Sequence, residues 1–246
     1  MEQKVTVITG VSSGLGYALA KKFKKEGHIV IGLCRTKPDL DIDLWIKTDI
    51  TKERDRQSAL KKVIKDYGKC DILINNAGIG EYSTWAESTE NELKKLFELN
   101  FFSVVTLTTT FLDLLITNKG TIINVSSIAG KIYVPCMGNY CASKYALNAF
   151  SDSLRVELRK KVNVLNIITG RINTGFSSRA IGKRTPPSSP SMGSATPTGF
   201  ANAVYKAYKN NKRSIYYPKC YRFVPLFVKI FTNFFEKKNY KIWHLD

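Results

Sequence analysis

The chain has 246 residues, enough for one α/β domain with a sizeable core or, less comfortably, two small ones. With 43% apolar and 24% charged residues it falls outside the disordered and collagen-like classes. Lys and Arg number 38 against 20 Asp and Glu, a net +18, and the excess is uneven: residues 155–246 hold 18 basic side chains and only 3 acidic ones (Glu157, Glu236, Asp246). That net +15 over the last third predicts attraction to something acidic.

Short apolar runs alternate with longer amphipathic ones, which predicts βαβ units and a parallel sheet. In chain order the expected strands are 5–9, 29–34, 44–47, 72–75, 121–125, 163–168 and 215–217. The expected helices between them are 15–26, 52–67, 90–116, 140–160 and 198–210. Residues 176–197 are rich in Ser, Gly and Pro, with Pro186, Pro187, Pro190 and Pro197 close together, and read as a loop that shapes a substrate pocket. The expected organisation is one domain over residues 1–218 and a basic, aromatic tail over residues 219–246.

The first strand runs into Thr9-Gly-Val-Ser-Ser-Gly-Leu-Gly16, with a helix opening at once. Gly10, Gly14 and Gly16 allow a tight turn and close approach of a pyrophosphate to the free N–H groups of the helix start. The same residues contain Gly10-Val-Ser-Ser-Gly14, a G-x-S-x-G elbow that would present Ser12 as a hydrolase nucleophile. That chemistry needs a histidine base, and the chain has only His28 and His244. Few histidines and no clustered cysteines also make a zinc site improbable, so no metal is expected. The second strand ends at Cys34-Arg35, nineteen residues after Gly16, where an acidic side chain would bind a ribose 2′-hydroxyl. A guanidinium there suits a 2′-phosphate, which predicts NADP(H) as cofactor, although a solvated surface arginine is the plain alternative.

Tyr140-Cys-Ala-Ser-Lys144 places a phenol and an ammonium four residues apart on one helix face. A nearby cation stabilises a phenolate, so such a tyrosine can exchange a proton with an alcohol oxygen. Together with Asp49-Ile50, Asn75-Asn-Ala-Gly78, Asn100 and Ser126-Ser127, these elements stand in an order that resembles the short-chain dehydrogenase/reductase family over roughly residues 4–217. The resemblance implies a Rossmann-like doubly wound parallel sheet of about seven strands flanked by helices, a three-layer sandwich. It implies that Tyr140 is the general acid/base, Ser127 hydrogen-bonds the substrate oxygen, Lys144 lowers the tyrosine pKa and holds the nicotinamide ribose, and Asn100 anchors a water in a proton relay. It assigns Asp49 and Ile50 to the adenine, and Asn76, Ala77 and Gly78 to the adenosine half. Thr9, Ser12, Ser13, Leu15, Gly170, Ile172 and Thr174 complete the expected cofactor contacts. Where the family has Pro-Gly-x-x-x-Thr, this chain has Thr169-Gly-Arg-Ile-Asn-Thr174, which loses a rigid φ and restores an N–H.

The expected activity is therefore hydride transfer between NADP(H) and a carbonyl/alcohol pair. A carbonyl reductase is favoured, with a serine hydrolase or a non-catalytic NADP-binding sensor as alternatives. Tyr133, Val134, Cys136, Met137, Phe176 and Ile181 are candidate pocket residues for a hydrophobic, acyl or lipid-like substrate. In the tail, Phe223, Phe227, Ile230, Phe231 and Phe234 follow helical spacing, flanked by Lys219, Arg222, Lys229, Lys237 and Lys238. That pattern describes a helix on an anionic membrane surface, or a lid on its own or a partner subunit. A homodimer or homotetramer is the family norm, an acyl carrier protein is another acidic partner, and nucleic acid is not expected. Five unpatterned cysteines read as reduced thiols, and the N-terminus lacks a secretory leader, so a cytoplasmic location, with peripheral membrane association as an option, is expected. No stretch reaches the ~20 apolar residues of a spanning helix.

Overall fold

The computed structural model describes residues 3–187 and 195–245, so Met1, Asp246 and the part of the 176–197 loop containing Pro190 lie outside the described residues. Seven strands, β1 (Val5–Thr9), β2 (Ile29–Cys34), β3 (Leu44–Lys47), β4 (Ile72–Asn75), β5 (Thr121–Ser127), β6 (Asn163–Thr169) and β7 (Ser214–Tyr217), form one sheet. Every neighbouring pair is parallel and the order is β3-β2-β1-β4-β5-β6-β7. The central strands read as Val/Ile runs because both faces are covered. Helix α1 (Gly14–Lys25) and a helix over Pro197–Lys209 cover one face, with Leu19, Phe23, Phe200 and Val204 fully buried against Ile8, Ile74 and Ile167. On the other face, α2 (Glu53–Tyr67) and the helices that follow β4 and β5 bury Ala59, Val63, Leu107, Phe111 and Leu154 against Val7, Leu73 and Ile122.

Several expected bounds shift by one to three residues, and two differences bear on the site. The single helix expected over 90–116 is broken into α3 (Glu90–Phe97), a π-helical turn (Glu98–Phe102), α4 (Ser103–Thr110) and α5 (Leu112–Thr117). The π turn carries Asn100, fully buried, and such widened turns often sit at functional sites. The final strand of the β5 region also runs two residues further than expected, to Ser127, because Ser126 and Ser127 pair in register with Ile168 and Thr169. Helix α6 (Gly138–Glu157) then brings Tyr140 and Lys144 over this end of the sheet, and α7 is the Pro197–Lys209 helix.

After β7 the chain makes a 3-10 turn (Lys219–Phe223), α8 (Val224–Ile230) and α9 (Thr232–Ile242). Only the inner side of this tail packs on the domain, through buried Val228 and Trp243 and through Tyr221, whose ring covers Gly170. Phe223, Phe227, Ile230, Phe231 and Phe234, expected to share the apolar face of one helix, are all exposed but divided among the 3-10 turn, α8, the break at Phe231 and α9, with the rings of Phe227, Phe231 and Phe234 lying together. Among the described residues, no helix is long and apolar enough to cross a membrane.

Candidate active site

Strand order reverses between β1 and β4, and in open parallel sheets ligands bind beyond the carboxyl ends of the strands at such a point. All the motif residues fall at that edge. The ends of β1 and β4 are tied together there: Asn76 N–H and Ala77 N–H both donate to Thr9 Oγ1 at 2.9 Å, and the Asn76 side chain donates to Thr9 O at 2.9 Å.

The turn from β1 into α1 needs its glycines for different reasons. Gly14 has φ +60°, a left-handed conformation that other residues adopt only under strain. Gly16 lies inside the helix, but a Cβ there would stand 2.1 Å from Gly10 O and 2.5 Å from Asn76 Nδ2. At the helix start, the Ser13 side chain makes no capping hydrogen bond and the first turn contains no acidic residue. The amide groups and positive end of α1 are thus presented to an anion, which fits the pyrophosphate of a dinucleotide. Arg179, which sequence reasoning missed, reaches over this cradle: its Nη2 lies 3.7 Å from where a Gly14 Cβ would be and donates to Thr174 O at 3.3 Å. Thr174 itself lies across the same turn, its Cβ 3.4 Å from where a Gly14 Cβ would be.

At the end of β2, Arg35 is exposed, and the facing Asp49 carboxyl sits below its usual range. Partial burial opposes ionisation of Asp49, but hydrogen bonds from the Thr51 hydroxyl and N–H, helped by the charges of Arg35 and Lys52, outweigh it. Ile50 is buried beside it, with its carbonyl accepting from Arg56 at 2.7 Å. The position filled by an acid in NAD-type sites therefore carries a cation facing solvent.

Tyr140 is buried, and Ser127 lies within hydrogen-bonding reach of its phenol. Ser127 Oγ also accepts from Ala129 N–H at 3.1 Å. Burial pushes the Tyr140 phenol well above its ordinary value, and the Ser127 hydrogen bond only partly offsets this. Lys144 is buried one helical turn on; burial pushes its ammonium down to about 8. Its Nζ lies 5.8 Å from the Tyr140 ring centre and donates to Val125 O at 3.1 Å. Asn100 uses both ends of its amide on Ile79: Oδ1 accepts from Ile79 N–H and Nδ2 donates to Ile79 O, each at 2.9 Å. Nδ2 also reaches Ser143 Oγ at 3.3 Å. A Cβ on Gly78 would stand 3.0 Å from Asn100 Oδ1 and 3.8 Å from Lys144 Nζ, so three of the motifs meet at one point.

The departure at Thr169 has a local explanation. Thr169 continues β6, pairs with Ser127, and donates its hydroxyl to Ser126 O at 2.8 Å. Gly170 N–H then donates to Tyr217 O at 2.7 Å, so hydrogen bonds hold the path that a proline ring would otherwise constrain. Of the residues expected to line the pocket, Val134, Met137 and Phe176 gather on Tyr140, the Phe176 and Tyr140 ring centres being 5.9 Å apart. Tyr133 is turned away: it stacks edge-on with Phe235 and donates to Glu236 at 3.0 Å. Cys136 is buried with Tyr82 and Trp243 instead, and Ile181 bridges Glu81 through the backbone.

The hydrolase alternative has no base. Ser12 is exposed at the carboxyl end of β1, whereas buried His28 precedes β2 at the opposite end of the sheet, its Nδ1 2.8 Å from Thr6 Oγ1. Desolvation holds His28 down at about 4, as suits a neutral structural ring. His244 lies exposed at the end of the tail.

A seven-stranded parallel sheet with a glycine cradle and a Ser127, Tyr140, Lys144, Asn100 cluster at its carboxyl edge defines a Rossmann-like oxidoreductase. The short chain dehydrogenase family pattern matches residues 4–184, and the chain belongs to that family. It is 35% identical over 181 residues to the 3-ketodihydrosphingosine reductase of Bacteroides thetaiotaomicron, covering 72% of this chain and 67% of that protein. The fold matches a Burkholderia phymatum short chain dehydrogenase/reductase solved with NAD, with TM-score 0.78, 23% identity and 87% and 89% of the two chains covered. It equally matches a Thermococcus sibiricus alcohol dehydrogenase complexed with 5-hydroxy-NADP, with TM-score 0.77, 24% identity and 87% and 96% covered.

Proposed function

We propose that the protein is an NADPH-dependent reductase of a ketone carried on an apolar, lipid-like substrate. The observation that carries this reading is the buried Tyr140, within reach of Ser127 and walled by Val134, Met137 and Phe176. A bound nicotinamide would supply the hydride. The chain's own residues handle the oxygen: Ser127 donates a hydrogen bond to the carbonyl, and Tyr140 gives up its proton as negative charge develops there. The phenol can deliver that proton because the oxygen it must protonate is far more basic than a phenolate. Lys144, held beside Gly78 and the Tyr140 ring, steadies the phenolate that remains and offers donors to a ribose. Asn100, through Ile79, keeps the backbone around Gly78 in place, and the waterborne proton relay expected of it would pass this point. The cradle at Gly14, with Arg179 above it, would hold the pyrophosphate, and Arg35 the 2′-phosphate. The apolar side chains of Val134, Met137 and Phe176 near Tyr140 suit an alkyl chain. The likeness to a 3-ketodihydrosphingosine reductase supports the same reading. Intact Ser127, Tyr140 and Lys144 weigh against a non-catalytic sensor.

Arg35 is the residue to test for cofactor choice. Arg35→Asp is expected to weaken NADPH binding by roughly 10–100-fold, the range of a lost charge-assisted hydrogen bond, while NADH binding holds or improves. Titration of both nucleotides against the two proteins checks it. A wild-type preference for NADH, or an Arg35→Asp variant with unchanged NADPH affinity, would overturn the assignment.

A further inference from the structure

The tail presents the largest run of exposed apolar side chains among the described residues. Phe223, Leu226, Phe227, Ile230, Phe231 and Phe234 are each 42–63% exposed, and the Phe227 ring centre is 5.1 Å from that of Phe231 and 6.3 Å from that of Phe234. The rings of Phe227, Phe231 and Phe234 touch in one patch, with Phe223, Leu226 and Ile230 exposed on the same short stretch, and contiguous apolar surface of this kind marks an interaction site. Cations rim it: the Arg222 guanidinium lies 5.2 Å from the Phe223 ring centre and Lys238 Nζ lies 5.9 Å from that of Phe234. Lys219, Lys229, Lys237 and Lys241 are exposed on the same tail. Its only acidic side chain among residues 219–245 is Glu236, which accepts from the Tyr133 hydroxyl.

We propose that this face of α8 and α9 docks in the plane of an anionic phospholipid bilayer. Helices of 7 and 11 residues cannot span a membrane, but apolar rings with cations at their margin suit the headgroup boundary. A second copy of the chain fits less well. A two-fold interface sets the same patch on both subunits, so each basic rim would face another basic rim, whereas anionic headgroups neutralise it.

The inner side of the same tail rests on the wall of the cleft. Trp243 clusters with Tyr82 and Cys136, and Val134 and Met137 pack both against that cluster and against the one that contains Tyr140. Docking stands on this surface alone; delivery of an apolar substrate from the bilayer rests on the reductase reading.

The test is co-sedimentation of the full chain with phosphatidylcholine vesicles containing phosphatidylserine, and with phosphatidylcholine alone, beside a Leu226→Glu/Ile230→Glu variant. The wild type should pellet with the anionic vesicles, and binding should fall at least about tenfold on neutral vesicles and in the variant. The variant's turnover of a soluble short-chain ketone should be unchanged. Absence of pelleting with anionic vesicles would overturn docking. So would sedimentation velocity showing a wild-type dimer that the variant converts to monomer, which would assign the face to a second copy. Failure of the reductase reading shows separately, as no turnover of the soluble ketone by either protein.

Discussion

Replacing Tyr140 by phenylalanine is expected to lower kcat by roughly 10²–10⁴-fold, the contribution of a positioned general acid, with KM and nucleotide affinity little changed. The substitution keeps the ring that packs between Phe176 and the Lys144 ammonium and removes only the oxygen within reach of Ser127. A loss in kcat alone therefore reports proton transfer, and not a collapsed pocket. Steady-state kinetics with a ketone substrate, paired with nucleotide titration, makes the separation. Turnover within a few fold of wild type would remove Tyr140 from the chemistry.

The second large effect belongs to the glycine cradle. A Gly16→Ala methyl would stand 2.1 Å from Gly10 O, a backbone atom that cannot swing aside, and 2.5 Å from the Asn76 amide that ties β4 to β1. Overpacking a rigid site costs about 1–3 kcal/mol or more, and here the strain falls on the turn that would hold the pyrophosphate. Nucleotide affinity should fall by about 10²-fold. Gly14→Ala, which meets nothing closer than 3.4 Å and carries only the strain of φ +60°, should fall by about tenfold. The graded pair keeps the result readable if the Gly16 variant folds poorly. Equal, wild-type affinity in both variants, measured by titration beside thermal unfolding, would show that the turn does not bind the nucleotide.

What could be read from the chain ahead of its fold was chemistry close in sequence. The turn between β1 and α1 is fixed by three glycines within seven residues, and the helical spacing of Tyr140 and Lys144 places them together without tertiary knowledge. The parallel sheet followed from short apolar runs alternating with amphipathic ones, whereas the order of its strands is a property of the packed fold. The π turn at Asn100 was not legible, because its register is coupled to Ile79, twenty-one residues earlier, through two side-chain hydrogen bonds. The direction of the Tyr140 shift was not legible either: a cation four residues away argues for a lower value, whereas burial, a property of the packed fold, raises it. Arg179 could have been suspected only as a cation five residues after Thr174, and the serine-rich loop around it carries no periodicity. Tyr133, expected in the pocket, is captured by Phe235 and Glu236 about a hundred residues later. The tail read as one helical run, but the chain breaks at Phe231 between α8 and α9, and its outward face is visible only once Val228 and Trp243 are seen buried.

The most direct measurement of the central claim is the fate of the nicotinamide hydrogen. With NADPH deuterated at C4 and a long-chain ketone, the product alcohol should carry one deuterium on its carbinol carbon, in one stereochemical sense, and Tyr140→Phe should form it far more slowly. An alcohol whose new carbon-bound hydrogen comes from solvent, or NADPH oxidation with no alcohol formed, would contradict reduction at this site.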